Sequence, residues 1–267
     1  MITSTANWQV KRIIQLQKKT KTRCEQRVFV VEGPKMVFEA PKDWVEQIYI
    51  SESFRWDEAQ MRRLTEYPCV CEVLSDSVMR AASDTQTPQG ILALVKMPSY
   101  TLEELLGGRC LDMPEHKDPH LLILESIQDP GNLGTMFRTG EGAGVTGIIM
   151  NHTTVDVFNP KTVRATMGSL YRVPFYVTDD LEWTIGDLKE RGIKVYAAHL
   201  KGSQTYDKPD YTGGTAFLIG NEGNGLTEEI AVLADAYIRI PMEGQVESLN
   251  AAIAATLLMY EAARQRR

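Results

Sequence analysis

One guanidinium, one carboxylate, one hydroxyl and two carboxamides stand out in the second half of this chain, each in a short segment rich in turn residues. The first segment is Gln128-Asp129-Pro130-Gly131-Asn132-Leu133-Gly134-Thr135-Met136-Phe137-Arg138. Asp129-Pro130-Gly131 is turn chemistry, and Asn132 is suited to cap the helix that the following residues predict. On that helix Leu133, Met136, Phe137 and Gly140 share one face, whereas Arg138 lies off the apolar stripe beside Gly134 and Glu141. The second segment, Phe217 through Leu226, runs from an apolar strand into Gly220-Asn221-Glu222-Gly223-Asn224-Gly225. Glycines let a ligand approach the backbone closely, and Glu222 at the strand end can accept hydrogen bonds from backbone or ligand donors. The third, Ile238 through Asn250, stops a strand at Pro241 and leads to Ser248 or Asn250 as the cap of an alanine-rich helix. Ile240, Met242 and Leu249 beside Ser248 and Asn250 suit a ligand with an aromatic base and a few polar edges. Taken singly, each segment has an ordinary reading as a solvated arginine or a turn.

Other chemistries find less support. His116, His120, His152 and His199 all lie outside the three segments. Cys24, Cys69, Cys71 and Cys110 form no C-x-x-C pair and no zinc-type spacing with histidine, so reduced structural thiols and no metal are expected. Gly142-Ala143-Gly144-Val145-Thr146-Gly147 satisfies G-x-G-x-x-G, but a helix precedes it and a strand follows. A dinucleotide site needs the reverse order, so these glycines read as a helix C-cap and turn.

The elements that must position these residues form two strand–helix series. The first half predicts a helix at Val10–Lys19, a strand at Val28–Val31, a helix at Pro34–Glu39 and a strand at Gln47–Ile50. A helix at Glu58–Leu64 and strands at Val70–Leu74 and Gly90–Val95 complete it. Pro98, Gly107, Gly108, Pro114 and Pro119 mark a junction, giving domains 1–98 and 119–267 with a linker over 99–118. In the second half the runs Leu121–Leu124, Gly147–Met150, Val195–Ala198, Ala216–Ile219 and Ala236–Ile240 are apolar on successive residues, as strands covered on both faces must be. Helical patterns lie between them at about 132–141, 160–168, 181–191 and 226–233, and a last one runs from about 249 to 265. The fold class is therefore α/β, with a parallel sheet in the second domain flanked by helices.

The 267 residues carry a formal net charge of −6, yet residues 1–30 hold Lys11, Arg12, Lys18, Lys19, Lys21, Arg23 and Arg27 against the single acid Glu25. Such a stretch can neutralise phosphates or can be a solvated helix face; charge alone leaves both open. The chain starts without a basic and apolar leader, and its longest apolar run, Ala251 to Tyr260, is shorter than the roughly 20 residues of a membrane span. A cytoplasmic protein with no membrane partner is expected.

In this order the three segments resemble the three motifs of the SpoU/TrmH family of RNA ribose 2′-O-methyltransferases, within the SPOUT superfamily. Asp129-Pro130-Gly131-Asn132-Leu133-Gly134 with Arg138 resembles the first, Gly220 through Leu226 the second, and Ile240-Pro241-Met242 through Ser248-Leu249-Asn250 the third. Asn159-Pro160-Lys161 with Arg164 through Ser169 resembles the stretch between the first two. Phe29 through Lys35 and Thr87-Pro88-Gln89-Gly90-Ile91 resemble a substrate-binding domain with a fold like ribosomal protein L30e. The resemblance implies a catalytic domain with a deep C-terminal trefoil knot. S-adenosylmethionine would be held at Gly220, Ile240, Met242 and Leu249, with a catalytic set of Arg138, Asn132, Glu222, Ser248 and Asn250. It implies a homodimer in which Arg138 reaches the partner's cofactor, and methylation of a ribose 2′-hydroxyl of RNA, ribosomal in preference to transfer RNA. Gly140 and Gly142 stand where the family often has alanine, and Ala252 where it often has serine. The competing readings are an inactive RNA-binding protein of the same fold and an ordinary nucleotide-binding metabolic enzyme.

Overall fold

A computed structural model describes residues 1–55, 57–107, 118–202 and 204–267. The expectations for Cys110 and His116 lie outside the described residues. By packing, the chain divides into two units: residues 1–98 with 156–171, and residues 99–155 with 172–267.

In the first unit the chain runs α1 (Trp8–Lys18), α2 (Thr20–Gln26), β1 (Val28–Glu32), α3 (Pro34–Glu39), β2 (Val45–Ser51), α4 (Glu58–Leu64), β3 (Cys71–Leu74), α5 (Asp76–Ala82) and β4 (Ile91–Lys96). The sheet order is β1-β4-β2-β3, with β4 antiparallel to both its neighbours and β2 parallel to β3. Asn7 caps α1 through the Gln9 amide, and Val10, Ile13 and Leu16 fall on one helical face. That face packs with Val28, Val30, Tyr49, Leu92 and Leu94 from the sheet and with Val78, Met79 and Ala82 from α5. The segment 156–171, bearing α8 (Pro160–Thr166), joins this unit: Phe158 lies 4.8 Å from the Phe29 ring and Tyr171 Oη donates to Met36 O at 2.9 Å.

Arg23 is corrected by this packing. It was expected among the RNA-facing cations, but it is 2% exposed. Its guanidinium donates to the Leu16 and Gln17 carbonyls and Thr20 Oγ1, and pairs with Asp156. Fully engaged inside the fold, it has no donor left for a phosphate. Lys11, Lys18, Lys19, Lys21 and Arg27 are exposed, and Arg12 is half-buried against Glu46 at 3.3 Å.

The second unit contains α6 (Leu102–Leu106), β5 (His120–Leu124), α7 (Pro130–Ala143), β6 (Gly147–Asn151), β7 (Phe175–Thr178), α9 (Leu181–Glu190), β8 (Lys194–Ala198), β9 (Gln204–Thr205), β10 (Thr215–Ile219), α10 (Glu228–Ala231), β11 (Ala236–Arg239) and α11 (Ala251–Gln265). Its strands form one sheet in the order β7-β6-β5-β10-β8-β11-β9, and every neighbouring pair is parallel. Successive strand residues face opposite sides. Leu121, Ile123, Val195, Ala197, Ala216 and Leu218 therefore share one face, packed with Leu181, Ile185 and Leu188 of α9. The other face is covered by α11, which packs on β5 and β10 and along α7. Winding reverses between β5 and β10: β6 and β7 lie to one side, β8, β11 and β9 to the other. Open α/β sheets place ligands in the crevice outside the carboxyl ends of the strands at such a reversal.

Candidate active site

The loops after β5 and β10 are the first two motif segments, so the sheet order alone brings them side by side. Glu222 then ties them together. Its carboxylate accepts from Gln128 N at 2.9 Å, Asp129 N at 3.0 Å and Asn132 Nδ2 at 3.0 Å. Asn132 Oδ1 accepts in turn from Asn250 Nδ2 at 2.9 Å, which brings in the third segment. Asn250 caps α11, its Oδ1 accepting from Ala252 N and Ile253 N. One chain of side-chain hydrogen bonds, Glu222–Asn132–Asn250, thus joins all three segments. A cavity of about 450 Å³ lies over it, lined by Gln128, Asp129, Asn132, Glu222 and the run Ser248 to Ala251.

Asn132 is not the cap of α7, as its position suggested; Asp129 is, its side chain accepting from Asn132 N at 2.8 Å with Pro130 in the first turn. This frees the Asn132 carboxamide for the bridge between Glu222 and Asn250. Burial alone would raise the Glu222 pKa, but the hydrogen bonds from Asn132, Gln128 and Asp129 outweigh it and hold the carboxylate below its ordinary value. Glu222 is therefore an ionised anchor for the 128–132 loop and a poor proton acceptor.

Arg138 projects from the exposed side of α7 and makes no hydrogen bond or ion pair with the described residues. Ser248 is exposed on the cavity wall, and Leu249 beside it is half-buried. Gly220 closes β10 under its own loop: a Cβ there would stand 2.1 Å from Leu226 N. Ile240 and Met242 are half-buried in the segment between β11 and α11. Among the described residues no group of three histidines, cysteines or carboxylates is placed to hold a metal.

Two residues of the site escaped the sequence reading. Asn221 donates from Nδ2 to Ser126 O at 2.9 Å, and its Oδ1 accepts from Gly223 N and Asn224 N. Ser126 adopts φ 57°, unusual for a residue with a side chain, and its amide donates to Asn151 Oδ1 at 2.9 Å. The signal was an Asn preceding two glycine-flanked residues, the usual start of an Asx turn; its reach to Ser126 spans 95 residues.

A parallel α/β domain with its polar constellation at the winding reversal belongs to the class of folds that bind small ligands at that crevice. The chain belongs to the SpoU rRNA Methylase family, whose model matches residues 119–260. Residues 7–93 match the MRM3-like substrate binding domain. The chain is 34% identical over 261 residues to the 23S rRNA (guanosine(2553)-2'-O)-methyltransferase RlmP of Bacillus subtilis, covering 97% of each. Among solved structures it resembles an AdoMet-bound rRNA methyltransferase from Sinorhizobium meliloti, at 30% identity and TM-score 0.81, covering 98% of this chain and 97% of that one. The SpoU methyltransferase AviRb from Streptomyces viridochromogenes, in complex with AdoMet, is similar at 25% identity and TM-score 0.86, covering 97% and 98%.

Proposed function

We propose that this protein transfers the methyl group of S-adenosylmethionine to a ribose 2′-hydroxyl of RNA, with ribosomal RNA as its substrate. The observation that carries the reading is the Glu222–Asn132–Asn250 chain, which gathers all three motif segments at one cavity. Its volume of about 450 Å³ falls in the range of nucleoside-sized ligand sites. Leu249 and Ala251 offer apolar contact, and Ser248 with the Asn132 and Asn250 amides offers polar edges. Only RNA presents the 2′-hydroxyl. The relative acting on 23S rRNA and the SpoU rRNA Methylase match favour ribosomal RNA over transfer RNA.

When bound, the cofactor supplies an electrophilic methyl group on a sulfonium. The protein's part is to hold the acceptor oxygen roughly 3 Å away and in line, which can supply much of the rate. Gly220, Ile240, Met242 and Leu249 would hold the cofactor. Asn132 and Glu222 fix the loop that carries the acceptor side, and Ser248 with Asn250 orients the ribose. Arginine stays protonated in proteins, so Arg138 would stabilise the developing alkoxide while the hydroxyl proton passes to solvent water and the demethylated cofactor, S-adenosylhomocysteine, leaves as the thioether.

Arg138 has no hydrogen-bond or ion-pair partner among the described residues, and α11 leaves Ile253, Leu257 and Tyr260 on one incompletely buried face, at i, i+4 and i+7. Thr256 on the same helix donates to Thr139, the neighbour of Arg138. A homodimer through α7 and α11 would cover that face and deliver Arg138 to the partner's site. A segment after β11 that threads into a trefoil knot, and a cytoplasmic place of work, complete the reading. Calorimetry with S-adenosylmethionine tests it: stoichiometric binding supports the reading, and absence of binding at millimolar donor overturns it.

A further inference from the structure

In the first unit a cleft of about 550 Å³ opens among the end of β2, the start of α5 and the loop before β4. Ser53, Phe54, Arg55, Arg80, Gln86 and Gln89 are among its lining residues. Arg55 and Arg80 are exposed, and neither makes a hydrogen bond or ion pair with the described residues. Asp76 is the carboxylate of this lining, and it is already engaged. Ser51 Oγ and Ser53 Oγ donate to it, and these bonds hold it ionised below its ordinary range. Two guanidiniums therefore line the cleft with no hydrogen-bond acceptor among the described residues, although the charge of Arg80 also acts on Asp76. The ring of Phe54 lies against the backbone of Gly90, whose φ is +79°; a Cβ there would meet the ring at 2.8 Å. The Gln89 side chain lies as close over Gly33, 2.7 Å from where its Cβ would stand. The cleft thus combines positive charge, an aromatic wall and carboxamides that can both donate and accept.

We propose that this cleft takes one unpaired nucleotide of the substrate RNA, with flanking phosphates on Arg55 and Arg80, the base against Phe54, and its edge read by Gln86 and Gln89. Guanidinium forks match phosphate oxygens in two-point geometry. Stacking on an aromatic ring suits a splayed-out base, and single-stranded RNA is the form that offers one; a duplex is met instead by shape across its minor groove. The cleft, more than the basic stretch at residues 11–27, is then the place where the first unit reads its RNA. This rests on the RNA-methylating reading given above for the other unit.

The test uses the full-length protein, fluorescent single-stranded fragments of ribosomal RNA, and methylation of the same fragments. The double variant Arg55→Gln/Arg80→Gln should raise KM for RNA roughly tenfold while kcat and S-adenosylmethionine affinity stay unchanged, the pattern of lost uniform binding. The salt dependence of binding should lose a slope of about 1.4, or about 0.7 for each phosphate contact to a single strand. Arg55→Lys/Arg80→Lys should keep the slope, which separates lost charge from a misfolded unit. Wild-type affinity and slope in the glutamine double variant would overturn the cleft assignment. Should the wild type bind RNA yet methylate none, the catalytic reading fails, and the salt slope still decides the cleft.

Discussion

Arg138 on α7 and Glu222 in the loop after β10 carry opposite charges, and their surroundings give them different work. Arg138 is exposed and makes no hydrogen bond or ion pair with the described residues, so removing it should leave the fold untouched. Arg138→Ala is expected to bind S-adenosylmethionine normally and to lose methylation by about 100-fold or more, the scale of a lost oxyanion donor. Near-normal methylation by Arg138→Lys would show that the guanidinium is dispensable. Glu222 receives three donors from the 128–132 loop. Glu222→Gln places an amide among those donors, so it should loosen the loop, lower the unfolding temperature and weaken cofactor binding. The folded-state pKa is depressed, so the stabilisation from the carboxylate is fully present above the ordinary glutamate range and is lost as pH falls through the folded value. The stability gap between wild type and Glu222→Gln should therefore be widest near neutral pH and close in acid; a gap independent of pH in thermal melts would contradict this.

At the scale of elements, Asn250 serves α11 and the site at once. Asn250→Ala removes the cap and should cost about 1 kcal/mol in denaturant unfolding. Asn250→Asp keeps a capping oxygen but has no donor for Asn132, so it should retain the stability and lose activity; equal loss of both in the two variants would deny Asn250 its second role. The helices and strands that carry the site were legible in the sequence because their apolar runs and turn residues are local signals. Gly144 with φ 73° ends α7 where the rejected dinucleotide pattern was read as a C-cap. Of the two glycines that depart from the family pattern, Gly142 lies close under α11, where a Cβ would stand 2.7 Å from Tyr260 Oη, whereas a Cβ at Gly140 would make ordinary contacts, none nearer than 3.5 Å. Some short elements, unlike α3 and α4, were not legible. α5 is two turns long, and β7 has four residues beside Pro174, too few to set a period. Glu222 was read as an acceptor, but the identity of its donors was hidden for another reason, since Gln128 N and Asp129 N lie over 90 residues away in the chain.

At the scale of the whole molecule, the same distance effect divides the basic N-terminal residues. Lys19 and Lys21 are solvated, while Arg23 is buried by Asp156, which enters the first unit 133 residues later. Arg23→Ala leaves that carboxylate half-stranded and should cost about 3–5 kcal/mol, whereas Lys19→Ala and Lys21→Ala should barely move the melting temperature. Equal melting temperatures in all three variants would contradict the assignment of Arg23 to the core. Assembly is tested by sedimentation: the wild type should run as a dimer, and Ile253→Asp on the exposed face of α11 as a monomer with little activity. An active monomer would contradict the shared site.

The most direct test of the catalytic assignment is nucleoside mass spectrometry of ribosomal RNA incubated with the protein and isotopically labelled S-adenosylmethionine. The expected product is a single species carrying the label on its ribose, absent without the protein and lowered about 100-fold or more with Arg138→Ala. Label on a base, or no label in RNA under conditions where the donor binds, would contradict it.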